Sequence, residues 1–260
     1  MFTSSAHLYD LIYASKDYDA EARRVQWFIE KYKQSKGKEL LDVACGTGAH
    51  LAILNEMFEV EGLDLNENLL SLAREKLPGV RFHQANMIDF EIGRQFDVIT
   101  CLFSAIGYVG SLDNLQATCL NMTRHLKPGG VLLIEPWLEP ENFEEGRLHA
   151  VFVDEPDLKI SRMSVSRKLG NLSKLRFHYL VGTADGIEHF SEDHELTLFR
   201  QAEYTEALEQ AGLCVIYDQS GPPERGLYVG VKPAGQAGAD REVANCQHMA
   251  NQLTGDRSNV

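Results

Sequence analysis

One short stretch limits the possible folds of this chain more than any other feature. Glu39-Leu40-Leu41-Asp42-Val43 reads as a strand, and Ala44-Cys45-Gly46-Thr47-Gly48 follows it at once. A helical pattern begins near Leu51. A strand that turns this sharply into a helix needs residues without a β-carbon, because the backbone takes conformations and close approaches that side chains forbid. The arrangement is the first unit of a sheet wound with helices on its faces.

The rest of the chain extends that unit. Tyr18, Ala22, Val25, Ile29 and Tyr32 recur at helical spacing before the first strand, and Leu8 to Tyr13 reads as a shorter helix. A second strand ends in Val60-Glu61-Gly62-Leu63-Asp64. Asn66 then caps a helix with Leu69, Leu72, Ala73 and Leu77 on one side. A third strand covers Val80-Arg81-Phe82-His83. Phe96 to Leu102 is apolar almost throughout, as suits a strand buried on both faces. Leu112, Leu115, Cys119, Met122 and Leu126 mark a helix that stops at Lys127-Pro128-Gly129-Gly130, before a strand over Val131 to Glu135. Strand and helix keep alternating, which predicts an α/β fold with a doubly wound, Rossmann-like parallel sheet.

After Trp137 the period changes. Leu175, Phe177, Tyr179 and Val181 alternate with Arg176, His178 and Leu180, and Gly170-Asn171 and Asp185-Gly186 read as turns. A small antiparallel sheet over about 147–199 is therefore expected after the fifth strand. A helix from about Gln201 to Ala211 and two strands, Cys214 to Gln219 and Leu227 to Val231, return to the main sheet. Residues 1–233 read as one domain, and 234–260 as a polar, weakly periodic, disordered tail.

Charge and cysteine content narrow the partners. The formal net charge of −13 argues against a nucleic-acid partner, which would call for a basic face. An anionic ligand would have to be met by a local cation. No apolar run reaches the length of a membrane span, and Met1 to Tyr13 does not read as a signal peptide. Five cysteines without a CxxC pair argue against a disulfide framework or structural zinc, so no metal is expected and a cytoplasmic setting fits.

Three features carry chemistry. The Gly loop lets backbone touch a bulky ligand. Asp64, last in the second strand, is placed to accept hydrogen bonds from both hydroxyls of an adenosine ribose. Ala85-Asn86-Met87-Ile88-Asp89-Phe90 follows the third strand, where Asn86 could bond an adenine amino group and Met87 could pack on the ring. A dinucleotide fits less well, because the position that should hold a third small residue holds Leu51.

In this order and spacing, with Lys127-Pro128-Gly129-Gly130, these pieces resemble the class I S-adenosylmethionine (SAM)-dependent methyltransferases. Leu8-Tyr9-Asp10-Leu11, Lys16-Asp17-Tyr18, Leu41 to Gly48, Phe103-Ser104, Ile106-Gly107-Tyr108, Glu135-Pro136-Trp137, Pro140-Glu141-Asn142-Phe143, Thr197-Leu198-Phe199 and Arg225-Gly226-Leu227 resemble more closely the bacterial N,N-dimethyltransferases of nucleotide-linked amino sugars. That likeness runs from about Leu8 to Val231. It implies SAM as cofactor, a sugar amine on a dTDP-type carrier as small-molecule acceptor, and a homodimer. Carried over, Tyr18, Ala44, Gly46, Gly48, Asp64, Leu65, Asn86, Met87 and Leu102 would hold the cofactor. Phe103, Trp137 and Arg225 would meet the acceptor, Arg225 at the carrier phosphates, and Tyr108 would face the amine. The chain departs from the family at Asn86, often acidic there, at Leu138, often aromatic, and near Val165, where a His is usual. Phe2 stands for an aromatic that carries a hydroxyl in the family.

An uncharged amine is already a nucleophile, so alignment and exclusion of water are the main demands on such an enzyme, worth about 7–11 kcal/mol for well-oriented reactants. Tyr108 and His178 are the candidates to orient the amine or relay its proton. His50 reads as a capping or packing residue and Cys101 as core. The competing readings are a methyltransferase for another small amine, guanidine or hydroxyl, and a non-catalytic SAM-binding protein.

Overall fold

Buried residues on each central strand alternate between two apolar cores, and that alternation produces the layers. The computed structural model describes residues 5–219 and 225–235. On β1 (Glu39–Val43) Leu41 and Val43 join one core and Leu40 the other. On β4 (Phe96–Cys101) Ile99 and Cys101 are set against Val98. On β5 (Leu126–Ile134) Leu132 and Ile134 are set against Val131 and Leu133. A strand buried on both faces needs helices on both, and the chain supplies them. The helices α2 (Tyr18–Tyr32) and α3 (Ala49–Leu54) cover one core. The other is covered by α5 (Leu112–Arg124) and α6 (Gln201–Gln210).

The seven-stranded sheet runs β10-β11-β5-β4-β1-β2-β3, with β2 at Glu59–Asp64 and β3 at Arg81–Gln84. β10 (Cys214–Asp218) and β11 (Leu227–Val231) are its antiparallel edge and the other strands are parallel. Caps fix the helix starts. The Asp17 side chain accepts from Ala20 N at the head of α2, and Asn66 from Asn68 N and Leu69 N at the head of α4 (Glu67–Lys76). Lys127-Pro128-Gly129-Gly130 differs from expectation. It lies inside β5, where Gly129 at φ +75° donates to Lys232 O and accepts from Gln34 N and Ser35 N.

A separate four-stranded antiparallel sheet comprises β6 (Leu148–Asp154), β7 (Lys159–Leu169), β8 (Leu172–Thr183) and β9 (Gly186–Thr197). The N-terminal segment, with a 3-10 turn at Ala6–Leu8 and α1 at Tyr9–Ile12, packs on its inner face. There Leu8 and Ile12 meet Ile160, Tyr179 and Val181. Phe2 and the tail from residue 236 lie outside the described residues. No helix among the described residues is long and apolar enough to cross a membrane.

Candidate active site

The C-terminal ends of β1, β2, β4 and β5 open into one cleft, roofed by Tyr9 and Tyr13 of the N-terminal segment and by Leu175, Phe177 and Leu196 of the four-stranded sheet. A twisted parallel sheet leaves such a crevice where its crossovers diverge. On the β1–β2 side the carboxylate of Asp64 closes the Gly loop. One oxygen accepts Gly46 N at 2.8 Å and the other Asn66 N at 2.8 Å. Burial raises the Asp64 pKa and the backbone donors oppose that rise. Gly46 has φ +57°, and an added β-carbon would meet no protein atom within 4 Å. The loop therefore presents bare backbone to the cleft, beside a carboxylate that keeps lone pairs for a diol. A ribose-bearing cofactor fits that cradle. Leu65, Asn86, Met87 and Ile88 extend it, and Asn86 Oδ1 accepts Ile88 N at 3.1 Å.

Deeper in the wall, Asp42 accepts the Thr100 hydroxyl at 2.6 Å, and burial lifts its pKa to about 6. His50 lies 2.8 Å from Glu21 Oε2 and edge-on to Tyr18, and burial lowers its pKa to about 4. Lys16 pairs with Glu21 and sits 4.6 Å from the ring centroids of both Tyr18 and Phe103. Burial takes its pKa down to about 8.

The other end of the cleft is aromatic. Phe103 (φ +53°) and Ser104 (φ +60°) stand consecutively in the left-handed region, a strained arrangement for residues with side chains. Hydrogen bonds hold it. Glu135 accepts Phe103 N at 2.9 Å, and Ser104 Oγ donates to Pro136 O at 2.7 Å. Arg225 braces the same turn, with Nη1 donating to Ser104 Oγ at 2.8 Å and Nη2 lying 3.3 Å from Glu135 Oε1. Trp137 Nε1 donates to Ser173 Oγ at 2.9 Å. The Tyr108 hydroxyl lies 2.7 Å from His194 Nδ1.

Of the residues singled out in the sequence, Tyr18, Ala44, Gly46, Asp64, Leu65, Asn86, Met87, Leu102, Phe103, Tyr108, Trp137 and Arg225 all line this cleft. Two do not, and the expectation for each is corrected. Gly48 at φ +74° is buried toward Leu77, Ala73 and Phe82, where it starts α3 without facing the cleft. His178 is exposed on the outer face of β8, stacked on His189. Its neighbours Phe177 and Tyr179 carry the inward parity. Sequence reasoning missed Tyr9, Tyr13 and Phe177 as walls and His194 as the partner of Tyr108. For His194 a signal existed. Phe190, Glu192, His194 and Leu196 share one parity on β9, and its apolar members mark the inner face. Cys101 lies in the core with its thiol pKa raised by burial, which leaves it unsuited to nucleophilic attack. Among the described residues no three His, Cys, Asp or Glu side chains converge as a metal site.

Residues 40–130 match the family model described as "Methyltransferase domain". The chain is 41% identical over 230 residues to dTDP-3-amino-3,4,6-trideoxy-alpha-D-glucopyranose N,N-dimethyltransferase of Streptomyces venezuelae, covering 87% of this chain and 97% of that protein. It is 40% identical over 233 residues to dTDP-3-amino-3,6-dideoxy-alpha-D-glucopyranose N,N-dimethyltransferase of Streptomyces fradiae, covering 88% and 91%. Among solved structures, DesVI of Streptomyces venezuelae superposes with a TM-score of 0.83 at 40% identity, covering 88% of this chain and 99% of that one. SAM-bound CalS10, an amino pentose methyltransferase from Micromonospora echinaspora, superposes with a TM-score of 0.79 at 38% identity, covering 86% and 96%.

Proposed function

The chain belongs to the class I SAM-dependent methyltransferases, in the family of the dTDP-amino-sugar N,N-dimethyltransferases, and from that premise we propose that it methylates the amine of a nucleotide-linked amino sugar twice. The observation that carries the reading is the joining of the Asp64 cradle and an aromatic compartment with Tyr108 in its wall within one cleft.

The bound sulfonium supplies an electrophilic methyl group. The protein's own residues do the rest. Asp64 and the bare backbone at Gly46 fix the ribose end, Asn86 and Met87 frame the adenine, and Tyr18, Ala44, Leu65 and Leu102 complete the walls. Phe103, Trp137, Tyr9, Tyr13 and Phe177 would exclude water around the acceptor, and Tyr108 would orient its amine. Arg225 is a cationic side chain of the cleft wall and meets a carrier phosphate with the N–H groups it does not spend on Ser104 and Glu135. The test is turnover of labelled SAM with a dTDP-amino sugar, followed by mass spectrometry for one and two added methyl groups. No transfer to any such sugar refutes the reading.

One observation favours a second reading, an acceptor without phosphates. Arg225 is already engaged by Glu135, which is 4% exposed. A panel of small amines without a carrier separates the two. The proposal includes a homodimer, supported by the exposed apolar side chains of Leu148, Phe152, Met163, Leu180 and Ile187 on the outward face of the four-stranded sheet. Light scattering of the purified protein tests it, and a monomer at micromolar concentration refutes it.

A further inference from the structure

His194 is buried, 1% exposed, on the inner face of β9. It packs against the Phe177 ring at a centroid distance of 4.8 Å, and its Nδ1 lies 2.7 Å from the Tyr108 hydroxyl. On its other side Nε2 lies 4.0 Å from Glu192 Oε2. That carboxylate is held by the Ser5 backbone N–H at 3.2 Å and the Ser5 hydroxyl at 2.5 Å. A neutral imidazole has one N–H and one lone-pair nitrogen. A carboxylate on the Nε2 side favours the tautomer with the proton there, which leaves Nδ1 as an acceptor.

We propose that His194 is a positioning residue that sets the polarity of Tyr108: Nδ1 accepts the phenolic O–H, so the Tyr108 oxygen turns its lone pairs to the cleft and accepts an N–H of the acceptor amine. The inference rests on reading the cleft as that of an amine methyltransferase. A tyrosine has a single O–H, and once it is committed to His194 the oxygen can only accept. The consequence for the reaction is direct. A hydroxyl donating to the amine would occupy the lone pair that must attack the methyl carbon. A hydroxyl accepting an amine N–H leaves the lone pair clear, and its bond strengthens as positive charge develops on nitrogen. Burial supports both states. It lowers the His194 pKa to about 4, so the ring stays neutral, and raises that of Tyr108, so the phenol keeps its proton.

The experiment compares the wild type with His194→Asn, His194→Leu, Tyr108→Phe and the double variant His194→Leu/Tyr108→Phe, using labelled SAM and a dTDP-amino sugar. Asn places a carboxamide oxygen near the position of Nδ1 and should retain most of kcat. Leu removes the acceptor, frees the hydroxyl to donate to the amine, and should lower kcat about ten- to hundredfold with an unchanged Kd for SAM. Removing the misdirected hydroxyl should then restore rate, so the double variant should outpace His194→Leu. A merely structural His194 predicts a double variant no faster than the single one. That result, or a His194→Leu kcat within twofold of wild type, overturns the inference. A second readout needs no acceptor. In 15N-histidine NMR the His194 signals, identified by their loss in His194→Asn, should show the Nε2–H tautomer, and an Nδ1–H tautomer overturns the inference. Failure of every amino sugar as substrate refutes the proposed function instead, and the tautomer still decides the role of His194.

Discussion

Replacing Asp64 by Ala tests the cofactor site, and its size follows from the contacts of the carboxylate. The site predicts two charge-assisted hydrogen bonds to ribose, each worth about 1.5–3 kcal/mol. Their loss together raises the Kd for SAM by about two to four orders of magnitude. Asp64 does a second job that the same change exposes. It accepts Gly46 N and Asn66 N, and leaving those donors without an acceptor costs about 1–3 kcal/mol each where water cannot replace it. The melting temperature should therefore fall, at roughly 2–4 °C per kcal/mol for a chain of this size. Calorimetric titration with SAM and a thermal melt of the same sample separate the two effects. Asp64→Asn is the control, since it keeps one acceptor oxygen for the loop and loses the charge. A folded Asp64→Ala protein that binds SAM with wild-type affinity would refute the reasoning.

Gly46→Val should abolish SAM binding measured by titration, because a β-branched residue at φ +57° is strained and its side chain enters the cradle; wild-type affinity would make the loop a mere connector. Asp42→Asn should stabilise the fold at pH 8. The buried acid has a folded pKa of about 6 against 3.8 when free, so the folded state binds the proton more tightly and ionisation costs it about 3 kcal/mol. That penalty is complete above pH 6 and gone below about 3.8, so the advantage in melting temperature should vanish near pH 4; a less stable variant at pH 8 counts against it. Arg225→Ala should raise KM for a dTDP-amino sugar severalfold with little change in the Kd for SAM, and unchanged constants for both would end the phosphate role.

The side of the cleft built on β1, β2 and β3 was legible as one group of residues because its signals are local. Gly46 lies three residues beyond β1, Asp64 ends β2, and Asn86 and Met87 lie two and three residues beyond β3, so strand order alone brings them together. Asn66 as a cap was readable for the same reason. The aromatic side was not. Tyr108 meets His194 across 86 residues, and Arg225 meets Ser104 across 121. Neither pairing leaves a mark in local periodicity. His178 shows the boundary. Alternation on β8 already turned it away from Phe177 and Tyr179, but which face of the sheet roofed the cleft depended on packing against Leu8 and Ile12.

A common direction in the shifted groups leads to a last prediction. Burial lifts Asp42 to about 6, lowers His50 and His194 to about 4, and brings Lys16 to about 8. Each moves toward its uncharged form, as desolvation requires. Lys16 is the informative case, because it is an alkyl ammonium against the rings of Tyr18 and Phe103, which both line the cleft. An acceptor amine in the same surroundings should lose its proton at a lower pH than it does in water. The protein then needs no base of its own to generate the nucleophile. The reaction with a dTDP-amino sugar should show it in two pH profiles. The acidic limb of kcat/KM, over which the rate rises as the amine loses its proton, reports the free amine, and that of kcat reports the bound one. The kcat limb should lie at the lower pH, because burial disfavours the bound ammonium. Coincident limbs would mean that the cleft leaves the amine pKa unchanged, and a kcat limb at higher pH would mean that it stabilises the ammonium, so that a side-chain base would have to remove its proton; either result refutes the prediction.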